Sequence, residues 1–267
     1  MKHLIWRVLK DKKTMLIVYC LVCIGFVFMY TAMFPSIKAQ QATFNEVLKA
    51  YPQTVLKAMG IKNLDMSTIS KFLTMEYFTF LWPLFAIMVA VTMGGFSIAG
   101  EIEAGTAPLL LSLPLSRMKI YMGKFLSSFI GLAGFTIVTL FIIWPIAKMF
   151  NNDVVFSYLS LTALSGFIFG LAVLGIASFF SAIFSEKGKA YFITGGILIV
   201  MYVLNVVSQL KDNFVKLEYF SLFHYFDPSS TLVEGQVDRL TYIVPTLLAV
   251  VLVLAGYLWF SRRNISI

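Results

Sequence analysis

Six long runs without charged residues divide the chain. They cover residues 14–37, 77–100, 125–147, 154–185, 190–210 and 240–261. Each run has at least about 20 residues, which is enough for a helix to cross the hydrocarbon core of a bilayer. The fourth run, 154–185, has no polar turn in its middle, so it predicts one span rather than two. The pattern predicts an all-α polytopic membrane protein with six transmembrane helices in a single domain over residues 1–267.

The first thirteen residues differ from the runs that follow. They contain five basic residues and one acid, while Leu4, Ile5, Val8 and Leu9 recur at helical spacing. This pattern is typical of an amphipathic helix that lies in the membrane interface. The alternative is the charged start of a cleaved signal peptide, which the five further spans disfavour.

Composition and charge support this interpretation and add an orientation. The chain is 59% hydrophobic and only 13% charged, with a net charge of +8. If the N-terminus is inside, the inner segments carry 12 basic residues and 4 acids, and the outer segments carry 9 of each. Positive residues concentrate on the cytoplasmic side of membrane proteins. Both termini are therefore predicted to be cytoplasmic.

Two outer loops are long enough to have structure of their own. Apolar residues in the first loop, 38–76, are spaced as in short amphipathic helices over residues 40–57. The last loop, 211–239, contains an aromatic segment that ends at a turn signal, Asp227-Pro228. That segment is predicted either to re-enter the outer leaflet or to lie along it.

The catalytic motifs that an intramembrane enzyme or an ATPase needs are missing from the sequence. No span carries Asp, Glu, Lys, Arg or His at depth, and neither H-E-x-x-H nor G-x-S-x-G occurs. Gly123-Lys124 is followed by Phe125, so it does not complete a phosphate-binding loop. The sequence predicts no cofactor, metal or nucleic acid bound by this chain, and any ATP would be bound by another protein.

The segment between spans two and three, residues 101–124, has the most informative pattern. Gly105 is expected to break the helix, and Thr106 and Pro108 suit the start of a new one over residues 107–113. Pro114 then ends that helix and Ser116 can cap the next. The result is a short leucine-rich helix that lies crosswise at the membrane surface. Two interpretations are open: the leucines contact a partner protein, or they lie in lipid.

A known family carries a similar segment. The pattern E-x-E-x-G-T-x-x-x-L-L-S-x-P-x-S-R resembles the cytoplasmic loop of the ATP-binding-cassette type-2 permeases. The matching residues here are Glu101, Glu103, Gly105, Thr106, Leu110, Leu111, Ser112, Pro114, Ser116 and Arg117. Gly123-Lys124 and the layout of the whole chain are also similar to the family. The resemblance implies that the short helix is a coupling helix, which docks on a separate ATPase subunit that binds ATP and Mg.

The resemblance also implies roles for individual residues. Leu109, Leu110 and Leu113 would supply apolar contact with the ATPase. Leu110→Asp would uncouple ATP hydrolysis from transport without unfolding the spans. Glu101, Glu103 and Arg117 would make polar contacts with the ATPase or with the N-terminal helix. A second contact would involve Glu186 and Lys187, although a simple positively charged turn explains that loop equally well. The transport pathway would be lined by Phe85, Thr92, Phe96 and Asn205.

The function implied by the resemblance is the permease subunit of an exporter. Two permeases, identical or closely related, would assemble with two ATPase chains in the plasma membrane of a bacterium. The uncharged spans favour a hydrophobic or amphipathic cargo, such as a peptide, an antimicrobial or drug, or a lipid-like molecule. The alternative function is a membrane sensor or immunity protein that binds a ligand and transports nothing.

Overall fold

A computed structural model describes residues 2–40, 66–112, 114–210 and 212–264. The amphipathic helices predicted over residues 40–57 therefore lie almost wholly outside the described residues, and Leu113 lies outside them too. The α-helices that the structure describes are, in chain order, α1 Lys2–Ala39, α2 Ile69–Leu73, α3 Leu81–Phe96, α4 Ala99–Glu103, α5 Ala107–Leu111, α6 Arg117–Phe141, α7 Ile143–Met149, α8 Phe156–Ile183, α9 Lys187–Leu210 and α10 Arg239–Arg262.

These helices confirm the prediction of an all-α membrane protein. Within the described residues, five helical segments are long and apolar enough to span a bilayer: α1, Arg117–Met149, α8, α9 and α10. The segments Ile69–Phe78 and Leu81–Phe96 meet at a bend of 46° and together make a sixth candidate span. The six predicted spans therefore correspond to five long helices and one bent pair.

The N-terminal segment does not form a separate helix. Residues 2–13 are the first turns of α1, which continues without a break through the first span and has 38 residues. At 1.5 Å per residue this helix is about 57 Å long, nearly twice the thickness of the hydrocarbon core. No glycine or proline interrupts residues 2–24, so nothing in the sequence ends the helix at the membrane surface.

The second span is bent for a local reason. A π-helical turn, Thr74–Phe78, follows α2, and α3 begins only at Leu81. Pro83 has no N–H to donate to the carbonyl four residues earlier, which belongs to Thr79. The bend lies next to that carbonyl, as kinks at π-bulges and prolines usually do.

Helix α8 is the centre of the bundle, and it packs against α3, α6 and α10. Its glycines allow close approach: a Cβ added to Gly175 would lie 3.0 Å from Cα of Ala249 on α10. The G-x-x-x-G pair of this helix also faces the chain's own core, since Gly166 meets the ring of Trp82 and Gly170 meets Leu132. These glycines therefore serve packing within one chain.

The aromatic segment of the last outer loop folds inward. Phe226 is buried, and its ring centroid lies 5.4 Å from that of Trp82 and 5.5 Å from that of Phe169. Asp227 forms the predicted turn, because its carboxylate accepts a 3.0 Å hydrogen bond from the N–H of Ser229. The segment therefore closes the end of the bundle that is opposite the N-terminus.

A serine of α8 joins the core to the start of the segment between spans two and three. The hydroxyl oxygen of Ser181 accepts hydrogen bonds from the N–H groups of Ile98 and Ala99, each 3.0 Å long. The same hydroxyl donates to the carbonyl of Gly95 at 2.7 Å. These three backbone groups lie where α3 ends and α4 begins, so Ser181 satisfies the groups that a helix break leaves free.

We expect Ser181→Ala to lower the free energy of unfolding by about 1–3 kcal/mol, because it leaves buried backbone groups without partners. Ser160→Ala on the same helix is the matched control, since that exposed hydroxyl donates only to its own helix, to the carbonyl of Phe156. Unfolding of the purified chain in mixed micelles measures both. Equal losses for the two variants would contradict the assigned role of Ser181.

Candidate functional site

The segment between spans two and three forms two short helices joined by a sharp turn. Helix α4 ends at Glu103, and Gly105 has φ +67°, in the left-handed region that glycine adopts without strain. Helix α5 then runs from Ala107 to Leu111, with Pro108 in its first turn as predicted. The helix ends at Leu111, two residues before the predicted end at 113, and Ser112 follows as its C-cap.

Thr106 occupies the N-cap position of α5 but does not cap it. Its backbone is helical, with φ −93° and ψ −6°, and its side chain makes no capping hydrogen bond. The hydroxyl instead donates to the carboxylate and the backbone carbonyl of Glu101. The prediction of a capping role is therefore wrong, because an N-cap residue needs an extended backbone to bring its oxygen to the free N–H groups of the helix, and the backbone of Thr106 is helical. By contrast, Ser116 caps α6 as predicted and accepts from the N–H of Lys119.

Adjacent leucines of α5 differ sharply in exposure. Leu110 is only 8% exposed and belongs to a cluster with Ile98, Ile120, Tyr121, Ala182, Val253 and Phe260. Leu109 is 65% exposed. Leu110 therefore packs in an apolar cluster that includes residues of α6, α8 and α10, while Leu109 remains available for a contact outside the chain. The expectation that Leu110 lies at a surface for docking does not agree with its burial.

A buried ion pair holds α4 against α6. The ammonium of Lys124 contacts the carboxylate of Glu101, and their side chains are 3% and 17% exposed. Burial alone would raise the pKa of Glu101, but hydrogen bonds from Lys124 and Thr106 and the charges of Lys124 and Arg7 outweigh it. The pKa of Glu101 therefore lies below its ordinary value, and the carboxylate is charged at neutral pH.

A second acid of α4 makes an equivalent link to α9. One carboxylate oxygen of Glu103 accepts from the backbone N–H of Lys187 at 2.7 Å, and the other lies 3.4 Å from the Lys187 ammonium. Glu103 thus satisfies an N–H at the start of α9, where a helix dipole favours negative charge. Glu186, the other predicted residue of this loop, is exposed and pairs with Lys189 at 2.6 Å.

Two arginines connect the ends of α10 and α8. Arg117 donates to the carbonyls of Phe260, Ser261 and Arg263 at the end of α10. Arg263 in turn donates to the carbonyls of Ala182 and Phe184 at the end of α8. Arginines at these positions satisfy carbonyls that have no partner within a helix. Arg117 therefore contacts the last helix, where the sequence predicted a contact with the ATPase or the N-terminal helix.

A groove separates α5 from the start of α1. It has a volume of about 480 Å³, and Leu109 forms part of its wall. Its other apolar lining residues are Leu4, Val8, Leu110, Pro114 and Leu115. His3, Arg7 and Asp11 add polar groups along α1. Glu101, Thr106 and Lys124 also line the groove, which therefore combines apolar and charged groups, as protein-binding surfaces commonly do.

The residues predicted to line a pathway are dispersed. Phe85 packs on Tyr19 of α1 with ring centroids 5.8 Å apart, and the carbonyl of Thr92 accepts from the hydroxyl of Tyr191 at 3.3 Å. The ring of Phe96 lies beneath the ammonium of Lys12, at 3.8 Å. Asn205 is half-buried on α9, about 27 Å along the helix from Lys187. The structure brings Phe96 next to the candidate site, and it does not bring Asn205 there.

Three basic residues at this site had no individual role in the sequence-based prediction. Lys124 was noted only as part of Gly123-Lys124, while Lys12 and Arg263 were counted only as charges near the membrane. Each acts through a partner at least 23 residues away in the chain. The one available signal was the position of Lys124 at the start of an apolar run, where a charge needs a partner.

Comparison with known proteins agrees with this architecture. The family model described as ABC-2 family transporter protein matches residues 5–265. A comparison with curated proteins gives no significant match. The match runs from Ile5 in the first turns of α1 to beyond the end of α10, and it includes the candidate site apart from His3 and Leu4. The chain therefore belongs to the ABC-2 transporter family, whose members are membrane subunits of ABC transporters that work with an ATP-binding subunit.

Proposed function

We propose that α5 is a coupling helix and that the ATP-binding subunit docks on it, in an exporter of hydrophobic or amphipathic molecules. The observation that carries this proposal is the opposite exposure of Leu109 and Leu110. One leucine holds the helix in the bundle, and the other is presented outward beside an apolar groove. A surface of this kind on a membrane subunit favours a protein partner.

Movement of a docked subunit would reach the spans through contacts already formed in this chain. Leu110 connects α5 with α6, α8 and α10 through its cluster. Glu101 connects α4 with α6, and Glu103 connects α4 with α9. A displacement of α4 and α5 therefore acts on four spans together. ATP and Mg would be held by the ATP-binding subunit, and the candidate site would transmit the movement of that subunit to the spans.

The proposed orientation follows from the partner. ATP is a cytoplasmic molecule, so the bundle end that carries α4, α5 and both described chain ends, Lys2 and Asn264, is placed in the cytoplasm. The excess of basic residues in the segments at this end agrees with that placement. The plasma membrane of a bacterium is the proposed location.

The proposed assembly contains two copies of the chain and two ATP-binding subunits. Helices α1 and α9 support a second copy. In the most apolar 18-residue stretch of each helix, only 17% of the residues are buried within the chain. The uncharged interiors of the spans support an apolar or amphipathic cargo, because an ion would need charged or polar ligands at depth. Export is the proposed direction on the basis of family resemblance alone.

The test uses the full chain, purified in mild detergent from its native membrane with its partner. We expect a protein with a phosphate-binding loop to co-purify at one copy per permease, in a complex whose mass fits two of each. Leu109→Asp is expected to weaken this association at least about tenfold, since burying a leucine contributes about 1.5–3 kcal/mol.

Met118→Asp is the matched control for Leu109→Asp. Met118 is also an exposed apolar side chain, at 50%, and it lies in the first turn of α6, where a carboxylate is tolerated. This variant should keep the ATP-binding subunit. Loss of the subunit from both variants, or from neither, would refute docking through Leu109. A chain that purifies alone or with a signalling protein would favour the sensor or immunity alternative.

A further inference from the structure

Two lysines from different helices converge on one aromatic ring at the N-terminal end of the bundle. The ammonium of Lys12 on α1 lies 3.8 Å from the centroid of the Phe96 ring. The ammonium of Lys187 on α9 lies 5.9 Å from the same centroid. The negative face of an aromatic ring attracts a cation, which explains how two like charges share this place. The arrangement concentrates positive charge on a small area.

The carboxylates nearby do not balance this charge. Lys187 pairs with Glu103 at 3.4 Å, and Asp11 is paired with Arg7. Within the described part of the chain, Lys12 has no carboxylate oxygen within 4 Å. Of the two ammonium groups only that of Lys187 has a carboxylate partner, so the cluster of Lys12, Lys187 and Glu103 carries an excess of one positive charge. A ligand with a single negative charge would complement it.

An apolar surface leads away from the charged cluster toward the membrane interior. Residues of α3 at four-residue intervals form a row that ends at Phe96: Leu84, Met88 and Thr92. Leu84 and Met88 are exposed within the chain. The row lies between α1, where Tyr19 packs on Phe85, and α9, where Tyr191 bonds to Thr92. A positive end joined to an apolar length fits the shape of an anionic amphiphile.

We propose that Lys12 and Lys187 bind the phosphate of an anionic phospholipid from the leaflet on the N-terminal side. The acyl chain of this lipid lies along Leu84 and Met88. A headgroup such as phosphatidylglycerol has the single negative charge that the cluster requires. Phosphatidylcholine has the same phosphate, but its quaternary ammonium would lie near two lysines and be repelled. This site goes beyond the proposed function, since lipid binding here needs no ATP-binding subunit.

Native mass spectrometry of the full chain in mild detergent tests the proposal, with phosphatidylglycerol and phosphatidylcholine of identical acyl chains as the added lipids. A basic side chain near an anionic headgroup contributes about fivefold in affinity. With two lysines, we expect phosphatidylglycerol to bind about 25-fold more tightly than phosphatidylcholine. Equal binding of the two lipids would overturn the proposal.

Lys12→Gln is the decisive variant, because Lys12 has no ion pair whose loss would disturb the fold. It should lower the affinity for phosphatidylglycerol about fivefold, and Lys12→Arg should preserve it. Lys13→Gln removes an exposed charge one residue away and should have no effect. Phe96→Leu should weaken binding two- to fivefold by removing the ring beneath the lysines.

Two further results would also overturn the proposal. Equal effects of Lys12→Gln and Lys13→Gln would mean that the net charge of the surface attracts the lipid. Displacement of phosphatidylglycerol by millimolar inorganic phosphate would mean that the lysines form a site for a free anion. Retention of the lipid in the presence of that phosphate supports a lipid site.

Discussion

Lys124→Met is expected to lower the free energy of unfolding by about 3–5 kcal/mol. The methionine side chain is only one heavy atom shorter than that of lysine, but it leaves the carboxylate of Glu101 buried without its cation. An unpaired buried charge costs more than the ion pair contributes, so removing one partner is worse than never having the pair. Unfolding in mixed micelles, followed by the fluorescence of the tryptophans, measures the loss.

The same variant is expected to change how stability depends on pH. In the native protein the pKa of Glu101 is lowered, so its contribution is present above the unfolded pKa of about 4.3 and is lost as the pH falls through the folded pKa. In Lys124→Met the hydrogen bond and the charge of Lys124 are lost, and burial is opposed only by Thr106 and Arg7, so the pKa of Glu101 is higher than in the native protein. The variant therefore loses less stability than the native protein as the pH falls, and the gap between the two proteins narrows from pH 7 to about pH 4.

Two controls separate the ion pair from a general loss of charge. Lys119→Met removes an exposed lysine from the same helix and should change the free energy of unfolding by no more than about 0.5 kcal/mol. The double variant Glu101→Gln with Lys124→Met should recover most of the stability, because both buried charges are gone. A double variant as unstable as Lys124→Met would show that the loss comes from packing.

The spans were predictable from the sequence because one physical requirement sets them. A helix that crosses a bilayer needs about 20 residues without charge, and this requirement involves no contact with the rest of the chain. The same reasoning explains where the prediction was less exact. The bend in the second span and the continuation of α1 through residues 2–13 depend on individual turns rather than on hydropathy.

The polar contacts of the candidate site were not predictable from the sequence. Arg117 binds carbonyls of residues 260, 261 and 263, and Glu103 binds the start of α9. The sequence placed these charges correctly at helix ends, where polar groups without partners accumulate. Which helix end each charge reaches depends on how the spans pack, and the apolar runs do not contain that information.

The sequence also did not show which leucine of α5 is buried and which is exposed. Leu109 and Leu110 are neighbours, so their side chains point about 100° apart around the helix. In a helix of five residues, Ala107–Leu111, no repeated pattern shows which side is buried. The buried side is set by Ile120 and Tyr121 of α6 and by Phe260 of α10, all of which lie outside the short helix itself.

Leu110→Asp is expected to disrupt the attachment of α5 to the bundle. Truncating a buried leucine typically costs about 2–5 kcal/mol, and a carboxylate in the same apolar cluster adds a desolvation penalty. The variant should therefore unfold more easily than the native chain by at least about 3 kcal/mol, and it should also lose the ATP-binding subunit. Leu110→Met, which nearly conserves volume, should lose no more than about 1.5 kcal/mol and keep the subunit.

Comparison with Leu109→Asp makes this result informative. Both variants introduce the same charge into the same short helix, but one side chain is buried and the other is exposed. If Leu110 anchors α5 and the partner binds α5 through Leu109, both variants lose the partner and only Leu110→Asp loses stability. If Leu110→Asp were as stable as the native chain, α5 would not be anchored as the structure shows. Loss of association in that variant would then reflect direct contact between Leu110 and the partner.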